Sequence, residues 1–269
     1  MKSVAIVIPM HNEAEAAAPL IEGIAAACAE LDGFEIIAVD DGSTDETAAR
    51  LAALRTSIPQ LRVLHHPRAG GQSAAVHSGV QAAEAPICCT LDGDGQNPPS
   101  ELPKLWRPLI ADTEGRVGLV AGQRVNRQDT ASKRWASTAA NRIRAWALKD
   151  GTRDTGCGLK GFRREAFLAF PYFDHMHRYL PALARRDGWD VVLVDVAHKE
   201  RETGSSKYNN LQRAFVGIRD LMGVAWLISR RKKARAVEVT AAAAETGAGV
   251  TEGRIAAARP GAEPGEQAR

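Results

Sequence analysis

The sequence predicts an α/β protein built on a mostly parallel β-sheet with helices on both faces. Apolar stretches typical of buried strands alternate with helix-like segments through the first half of the 269-residue chain, the pattern that parallel sheets produce. Polar residues follow several of these strands directly, where open α/β sheets place their ligands. The composition, 45% hydrophobic and 25% charged, is that of an ordinary globular protein.

The individual elements follow in order from these patterns. Short apolar runs predict strands at residues 4–9, 34–39, 61–65, 87–91, 117–123 and 190–196. Helical spacing of apolar residues predicts helices at residues 13–31, 71–83, 133–148, 164–170, 178–186 and 209–229. Ser43 with Glu46 three residues later resembles a capping box, which predicts a further helix that ends near Leu54. The glycine-rich segment 154–162 is predicted to be a loop.

Charge is distributed unevenly along the chain. Residues 1–120 contain 8 Lys and Arg against 16 Asp and Glu, whereas residues 121–235 contain 24 against 11. An acidic first half suits a metal site, and a basic second half suits phosphates or a lipid surface. Nucleic acid would also suit the basic half, but no recognised nucleic-acid-binding motif accompanies the charge. We therefore expect no nucleic-acid partner.

The sequence also predicts where the protein is found. Its four cysteines fit neither a disulfide framework nor a zinc-ligand spacing, which favours a reducing, cytoplasmic setting. The first apolar run is too short for a signal peptide, and no stretch approaches the roughly 18 apolar residues of a spanning helix. Residues 211–235 combine an amphipathic pattern with a basic cluster, typical of a helix in a bilayer interface or against a second copy. The alternative is a helix packed on the domain.

Two carboxylates one residue apart follow the predicted strand at 87–91. Residues i and i+2 of an extended segment point the same way, so Asp92 and Asp94 should be directed at one point. Two like charges held that close require a cation, and oxygen ligands suit Mg²⁺ or Mn²⁺. The alternative is a solvated Asp-Gly turn. Polar segments 9–13 and 40–43 end the first two strands at the same sheet edge, which favours a single site.

Together these motifs resemble a known family. The segments Pro9-x-x-Asn12-Glu13, Val39-Asp40-Asp41-Gly42-Ser43-x-Asp45 and Asp92-Gly93-Asp94-Gly95-Gln96 are similar to those of family-2 glycosyltransferases of GT-A fold. Segments 154–164, 177–181 and 201–208 resemble the dolichol-phosphate mannose synthase branch, which moves a sugar from a nucleotide sugar to a polyprenyl phosphate. The resemblance implies a GT-A (Rossmann-like) domain over residues 1–210. The amphipathic pattern predicts a separate basic segment over 211–235, and a composition of Ala, Gly, Glu, Thr and Pro without periodicity predicts a disordered tail over 236–269.

The resemblance also implies a role for each matching residue. The nucleotide sugar would be bound by Pro9, His11, Glu13, Val39, Asp41, Asp92 and Gln96. The metal, Mg²⁺ or Mn²⁺, would be held by Asp92, Asp94 and Gln96. The acceptor phosphate would be bound by Arg201, Ser205, Ser206 and Lys207. The catalytic set implied in this way comprises Asp94, Arg124, Asp154, Arg201 and Lys207. His11 stands where this branch often has an aromatic residue, so both UDP- and GDP-sugars stay open as donors.

The chemistry of the acceptor separates the functional alternatives. A phosphate acceptor is already anionic near neutral pH, so inverting transfer to it requires aligned cations and no general base. A hydroxyl acceptor would require a base, for which Asp154 is the candidate. A non-enzymatic, basic membrane-surface module would give no reason for the carboxylate pair. We expect polyprenyl-phosphate transfer for cell-envelope glycan or lipid modification, at the inner face of the cytoplasmic membrane.

Overall fold

The computed structural model describes residues 2–125, 144, 147–148, 150–197 and 210–232. Its strands are β1 (Val4–Met10), β2 (Phe34–Asp41), β3 (Leu61–His66), β4 (Ile87–Thr90), β5 (Val117–Arg124), β6 (Lys160–Arg163) and β7 (Asp190–Val196). Its helices are α1 (Ala14–Ala27), α2 (Thr47–Leu54), α3 (Gln72–Ala82), α4 (Pro103–Ala111), α5 (Arg164–Ala169), α6 (Leu180–Arg186) and α7 (Asn210–Ser229). Short 3₁₀ turns occur at Pro99–Glu101 and Met176–Arg178.

The seven strands form one sheet in the order β3-β2-β1-β4-β6-β5-β7. The pairs β2–β3, β1–β2, β1–β4 and β5–β7 are parallel, and only β6 runs antiparallel to its neighbours β4 and β5. The predicted mostly parallel α/β fold is therefore confirmed. Because β2, β1 and β4 are consecutive and parallel, the loops that follow them meet at one edge.

The sheet is covered on both faces, as the apolar runs predict. On β1, Ile6 and Ile8 pack into a core that includes residues of α1 and α4. Ala5 and Val7 point the other way, into a second core that includes residues of α3, α5 and α6. A strand buried on both faces reads as a continuous apolar run, which is why β1 is readily recognised in the sequence. The two cores hold the sheet rigid beneath its edge loops.

Two elements were not predicted, and each has a physical reason. Strand β6 lies in the segment predicted to be a glycine-rich loop, and it exists because it pairs with β4 and β5, which are distant in sequence. Helix α4 begins with Pro103 and contains Pro108, so a residue type that usually interrupts helices conceals it. The predicted helix at 133–148 lies almost entirely outside the described residues, and the predicted tail at 236–269 lies wholly outside them.

The predicted capping box is wrong. Helix α2 begins at Thr47, whose backbone N–H donates to Asp45 Oδ1 at 2.9 Å, and Glu46 makes no side-chain cap. The Ser43 hydroxyl instead accepts a hydrogen bond from the backbone N–H of Asn12 at 3.0 Å. A tertiary contact has thus replaced the local one. Its effect is to fasten the loop after β2 to the loop after β1.

A carboxylate fixes the opposite end of the sheet. Glu35, near the start of β2, accepts hydrogen bonds from the backbone N–H groups of Glu84 (2.7 Å) and Ala85 (3.0 Å) and from Arg62 Nη1 (2.6 Å). Burial alone would raise the pKa of Glu35, but the hydrogen bonds from Ala85, Glu84 and Arg62, with the charge of Lys2, lower it below its usual value. The ionised form therefore stabilises the fold.

Glu35→Gln is expected to lower the free energy of unfolding by about 2 kcal/mol near neutral pH, because charged hydrogen bonds are lost. The pKa of Glu35 is lower in the folded than in the unfolded chain. Its contribution is therefore present above the unfolded pKa of about 4.3 and disappears as pH falls through the folded pKa. Urea denaturation of the variant and the parent, repeated at decreasing pH, measures the difference.

Glu84→Gln is the matched control, since Glu84 is exposed and also contacts Lys2. This variant should differ little from the parent at any pH. A stability difference for Glu35→Gln that stays constant across the acid range would show that its charge does not contribute.

Candidate active site

The loops after β1, β2 and β4 surround a cavity of about 740 Å³ at the carboxyl edge of the sheet. Segment 153–158, which precedes β6, forms a further wall, and the 3₁₀ turn Met176–Arg178 contributes two residues. The cavity brings together most of the predicted site residues: Pro9, His11, Glu13, Asp41, Asp92, Asp94, Arg124 and Asp154. These residues lie far apart in the chain, so the convergence comes from the strand order.

Other predicted residues lie elsewhere. Val39 is fully buried in the sheet core and does not line the cavity, because it lies inside β2 under helix α3 and not at the end of the strand. Gln96 does not line the cavity either, but its backbone N–H donates to Asp94 Oδ1 at 3.1 Å. Its role as a metal ligand stays a prediction. Four predicted residues lie outside the described part of the chain: Arg201, Ser205, Ser206 and Lys207.

Asp92 is held in place by hydrogen bonds to both carboxylate oxygens. Gln72 Nε2 donates to Oδ1 at 2.7 Å, and Asn97 Nδ2 donates to Oδ2 at 3.1 Å. Burial, followed by the negative charge of Asp94, raises the pKa of Asp92, and the positive charge of Lys160 opposes this shift. The protein thus holds two carboxylates on one cavity wall at an electrostatic cost.

This pair fits a divalent cation. A cation beside Asp92 and Asp94 would offset the repulsion between them, and oxygen donors suit Mg²⁺ or Mn²⁺. Lys160 is buried and donates to the carbonyl oxygen of Cys157, and its positive charge offsets the repulsion only in part. Within the described ranges, no third His, Cys, Asp or Glu joins them in a metal-binding group. Mg²⁺ is often held by one or two carboxylates together with substrate phosphates.

Arg124 and Asp154 form a two-point ion pair in the cavity wall. Arg124 Nε donates to Asp154 Oδ2 at 2.5 Å and its Nη2 donates to Oδ1 at 2.9 Å. The amide oxygen of Gln123, which is buried, accepts the backbone N–H groups of Arg153 (2.9 Å) and Asp154 (3.0 Å). Taking up a proton from a substrate would remove the charge that binds Arg124, so the ion pair favours a positioning role for Asp154 over that of a base.

Asp41 lines the cavity and also forms hydrogen bonds that hold a neighbouring loop. Its Oδ1 accepts the Gly70 N–H at 2.8 Å and lies 2.7 Å from His66 Nδ1, and its Oδ2 accepts the Gly71 N–H at 2.7 Å. The ring of His11 is also fixed, with Nδ1 2.8 Å from the carbonyl oxygen of Asp41. Asp41 therefore fastens the loop that precedes α3, and a carboxylate has room for one further hydrogen bond.

Sequence reasoning missed three residues that support this site. Gln72 and Asn97 hold Asp92, and Gln123 holds the segment that contains Asp154. Asn97 directly follows the carboxylate motif in the sequence, and this position could have indicated a contact with Asp92. Gln72 and Gln123 carried no signal, because a glutamine beside a glycine is also common in loops and strand ends.

The mostly parallel sheet and the cavity lined by carboxylates and arginines define an α/β protein with a candidate active site at the carboxyl edge of the sheet. The model of the family described as Glycosyl transferase family 2 matches residues 5–169, and the chain belongs to that family. This confirms the family named from the motifs.

Two curated relatives carry the name undecaprenyl-phosphate 4-deoxy-4-formamido-L-arabinose transferase. The chain is 36% identical to the one from Pectobacterium carotovorum over 215 residues, which are 79% of this chain and 64% of the relative. It is 37% identical to the one from Pseudomonas fluorescens over 212 residues, which are 78% of this chain and 61% of the relative. The chain thus spans less than two thirds of the length of these relatives.

Solved structures share the fold at lower identity. Glucosyl-3-phosphoglycerate synthase from Mycobacterium tuberculosis, with Mn²⁺, UDP-glucose and glycerol 3-phosphate, matches with a TM-score of 0.64 and 19% identity, covering 87% of this chain and 82% of that one. A mannosyltransferase from Pyrobaculum calidifontis, with GDP-mannose and Mn²⁺, matches with a TM-score of 0.60 and 18% identity, covering 86% and 65%. These matches confirm the predicted GT-A fold.

Gly158→Ala is expected to weaken Mn²⁺ binding in the presence of UDP by about tenfold or more. A Cβ atom at this position would lie 2.3 Å from both carboxylate oxygens of Asp92, so Asp92 would have to move. Isothermal titration calorimetry measures the affinity. The matched control is Gly223→Ala in α7, where a Cβ atom meets nothing within 4 Å. Unchanged Mn²⁺ affinity in a folded Gly158→Ala protein would exclude Asp92 from the metal site.

Proposed function

We propose that this protein transfers a sugar from a UDP- or GDP-sugar to a polyprenyl phosphate, with inversion at the anomeric carbon. The observation that carries the proposal is the carboxylate pair Asp92 and Asp94 in the same cavity as Arg124. The two carboxylates suit a metal ion that is bound to a pyrophosphate, and Arg124 suits phosphate oxygens directly. The names of the curated relatives support a polyprenyl-phosphate acceptor. The UDP- and GDP-sugar complexes of the structural neighbours support the donor class.

On the donor side, the leaving pyrophosphate gains negative charge as the bond to the sugar breaks. A divalent ion held by Asp92 and Asp94 would stabilise that charge without any proton transfer. Arg124 adds hydrogen-bond donors, of which the pair with Asp154 uses two of the five that a guanidinium carries. Asp154 also holds the guanidinium in place before the donor binds, which lowers the ordering cost of phosphate recognition.

On the acceptor side, a phosphate monoester needs no general base because its oxygen is already anionic. The engagement of Asp154 with Arg124 is compatible with such an acceptor and less so with a hydroxyl acceptor. The predicted acceptor-binding residues are Arg201, Ser205, Ser206 and Lys207. Their positively charged and hydroxyl groups suit a phosphate, and their role stays a prediction. An enzyme with a hydroxyl acceptor should tolerate neutral substitution of Arg201 and Lys207 together.

Helix α7 has two apolar faces of different kinds. Its inner face packs on the domain, where Val224 is buried against Tyr179 and neighbouring residues. Its outer face carries Ile218, Met222 and Trp226, which are 60%, 69% and 60% exposed and are spaced four residues apart. A basic cluster, residues 230–233, follows the helix. Among the helices that the structure describes, none combines the length and apolar character needed to cross a membrane.

This arrangement supports peripheral binding to a bilayer. An exposed apolar stripe can enter the interface, and the basic cluster adds roughly 1 kcal/mol per charge near anionic lipid. The acceptor is itself a membrane lipid in this proposal, so docking by α7 would place the cavity near its substrate. We place the protein at the inner face of the cytoplasmic membrane, whose anionic surface attracts basic segments.

The direct test is product formation. Purified protein is incubated with farnesyl phosphate, Mn²⁺ and a panel of UDP- and GDP-sugars, and the lipid-linked sugar is measured by mass spectrometry. We expect transfer from at least one donor, and its abolition by chelation of the metal. Asp94→Asn should lower the rate about a hundredfold or more, because several kcal/mol of charge stabilisation are lost. Asp190→Asn, at an exposed position on β7, is the control. Metal-independent transfer would refute the role of Asp92 and Asp94.

Met222→Glu is expected to weaken binding to anionic phospholipid vesicles about tenfold or more, since it replaces an exposed apolar side chain that would enter the bilayer with one that the anionic lipids repel. Vesicle sedimentation measures the bound fraction. Ile110→Glu is the matched control, because Ile110 is an exposed apolar residue on a different helix, α4. If the parent protein does not bind vesicles but dimerises through α7 in analytical ultracentrifugation, the apolar stripe contacts a second copy of the chain instead.

A further inference from the structure

We infer that Arg178 binds the phosphate group of the acceptor lipid. This inference rests on the proposed function and adds a residue that the motif comparison did not assign. Arg178 is in the 3₁₀ turn Met176–Arg178 and lines the cavity. Three features lead to this role: the charge balance of the cavity, the attachment of the turn to α7, and the rigidity of the turn.

The first feature is the charge balance among the cavity arginines. Arg124 is paired with Asp154, and Arg153 is paired with Asp195 at 2.8 Å. Arg178 has no carboxylate partner within the part of the chain that the structure describes. The N–H donors of its guanidinium are therefore not used by any described acidic side chain, and they are available to a ligand in the cavity. A guanidinium binds a phosphate through two parallel hydrogen bonds, which suits the terminal phosphate of a lipid.

The second feature is the position of Arg178 between two contacts to α7. His175 Nδ1 lies 3.3 Å from Asp220 Oδ2, and the Tyr179 hydroxyl donates to the carbonyl oxygen of Gly217 at 3.4 Å. The turn that carries Arg178 is thus fastened directly to the helix whose outer face is apolar. A lipid whose chain stays in the bilayer would bring its phosphate to the cavity from the side of α7. Among the described arginines of the cavity, Arg178 is the one whose turn contacts α7.

The third feature is the rigidity of the turn. The ring of His177, which follows the buried Met176, lies with Nδ1 2.8 Å from Ser73 Oγ of α3. Burial lowers the pKa of His177 to about 3, so this ring is neutral under ordinary conditions. The backbone of His175 has a φ of 64°, a left-handed conformation that residues other than glycine rarely adopt. The turn is therefore fixed before any ligand binds, and Arg178 supplies its permanent positive charge in the cavity.

Separate cations are required because donor and acceptor repel each other. The donor pyrophosphate is assigned to the carboxylate-bound metal and to Arg124. If the acceptor phosphate shared those groups, it would compete with the donor. Arg178 provides a second location for an anion in the same cavity, and the two anions can then be bound together.

The test compares Arg178→Gln and Arg178→Lys with the parent protein. Initial rates are measured with farnesyl phosphate varied at saturating donor, and then with the active nucleotide sugar varied at saturating farnesyl phosphate. Arg178→Gln is expected to raise the KM for farnesyl phosphate about tenfold or more, and Arg178→Lys to restore part of it. The KM for the donor and the hydrolysis of the donor without lipid should stay within about twofold of the parent.

Arg153→Gln is the matched control, because Arg153 also lines the cavity but is paired with Asp195. It should leave the KM for farnesyl phosphate unchanged. If Arg178→Gln leaves that KM unchanged, or raises the donor KM instead, the inference is wrong while the proposed function stands. If the parent protein transfers no sugar to any prenyl phosphate, the proposed function fails and the inference fails with it.

Discussion

The repulsion between Asp92 and Asp94 is the constraint on which the rest of the site depends. The chain holds both carboxylates on one cavity wall, where burial and the charge of Asp94 raise the pKa of Asp92. Gln72 and Asn97 use their side-chain amides to keep Asp92 in this position. Such an arrangement stabilises the protein poorly by itself and is useful when a cation binds. The site is thus organised for a ligand that brings both positive and negative charge.

The cavity also contains a positively charged side chain whose position is fixed. Arg124 is paired with Asp154, and a buried amide of Gln123 holds the backbone of that partner. An arginine fixed in this way keeps its charge while losing little conformational freedom when a phosphate binds. The cavity therefore brings the carboxylate pair and the guanidinium groups close together, since Arg124 lies near enough to Asp92 to act on its charge. In the proposed reaction both substrates are anionic, and such a mixed set of charges can bind a metal together with phosphate groups.

Much of the fold could be predicted because its signals are local. Strands buried on both faces appear as apolar runs, and their parallel order brought Asp41, Asp92 and Asp94 to one edge. Features created by tertiary contact could not be predicted, among them β6, which exists only by pairing with distant strands. The same reason explains Val39, whose motif position suggested the cavity but whose side chain faces the core. The contact between Gln72 and Asp92 could not be predicted either, because no spacing rule links a glutamine to a residue twenty positions away.

The antiparallel strand β6 has a consequence for how the molecule is made. It inserts between β4 and β5 from a point about seventy residues after β4. The strands β1 to β4 can associate as the chain emerges from the ribosome, but segment 153–158 reaches its place only once β6 has been synthesised and inserted. Contacts of such long sequence separation are slow to form, because the entropy cost of closing the loop comes first. The loop after β4 can therefore form before segment 153–158 reaches its place, and the cavity has all of its lining residues only after the sheet has closed.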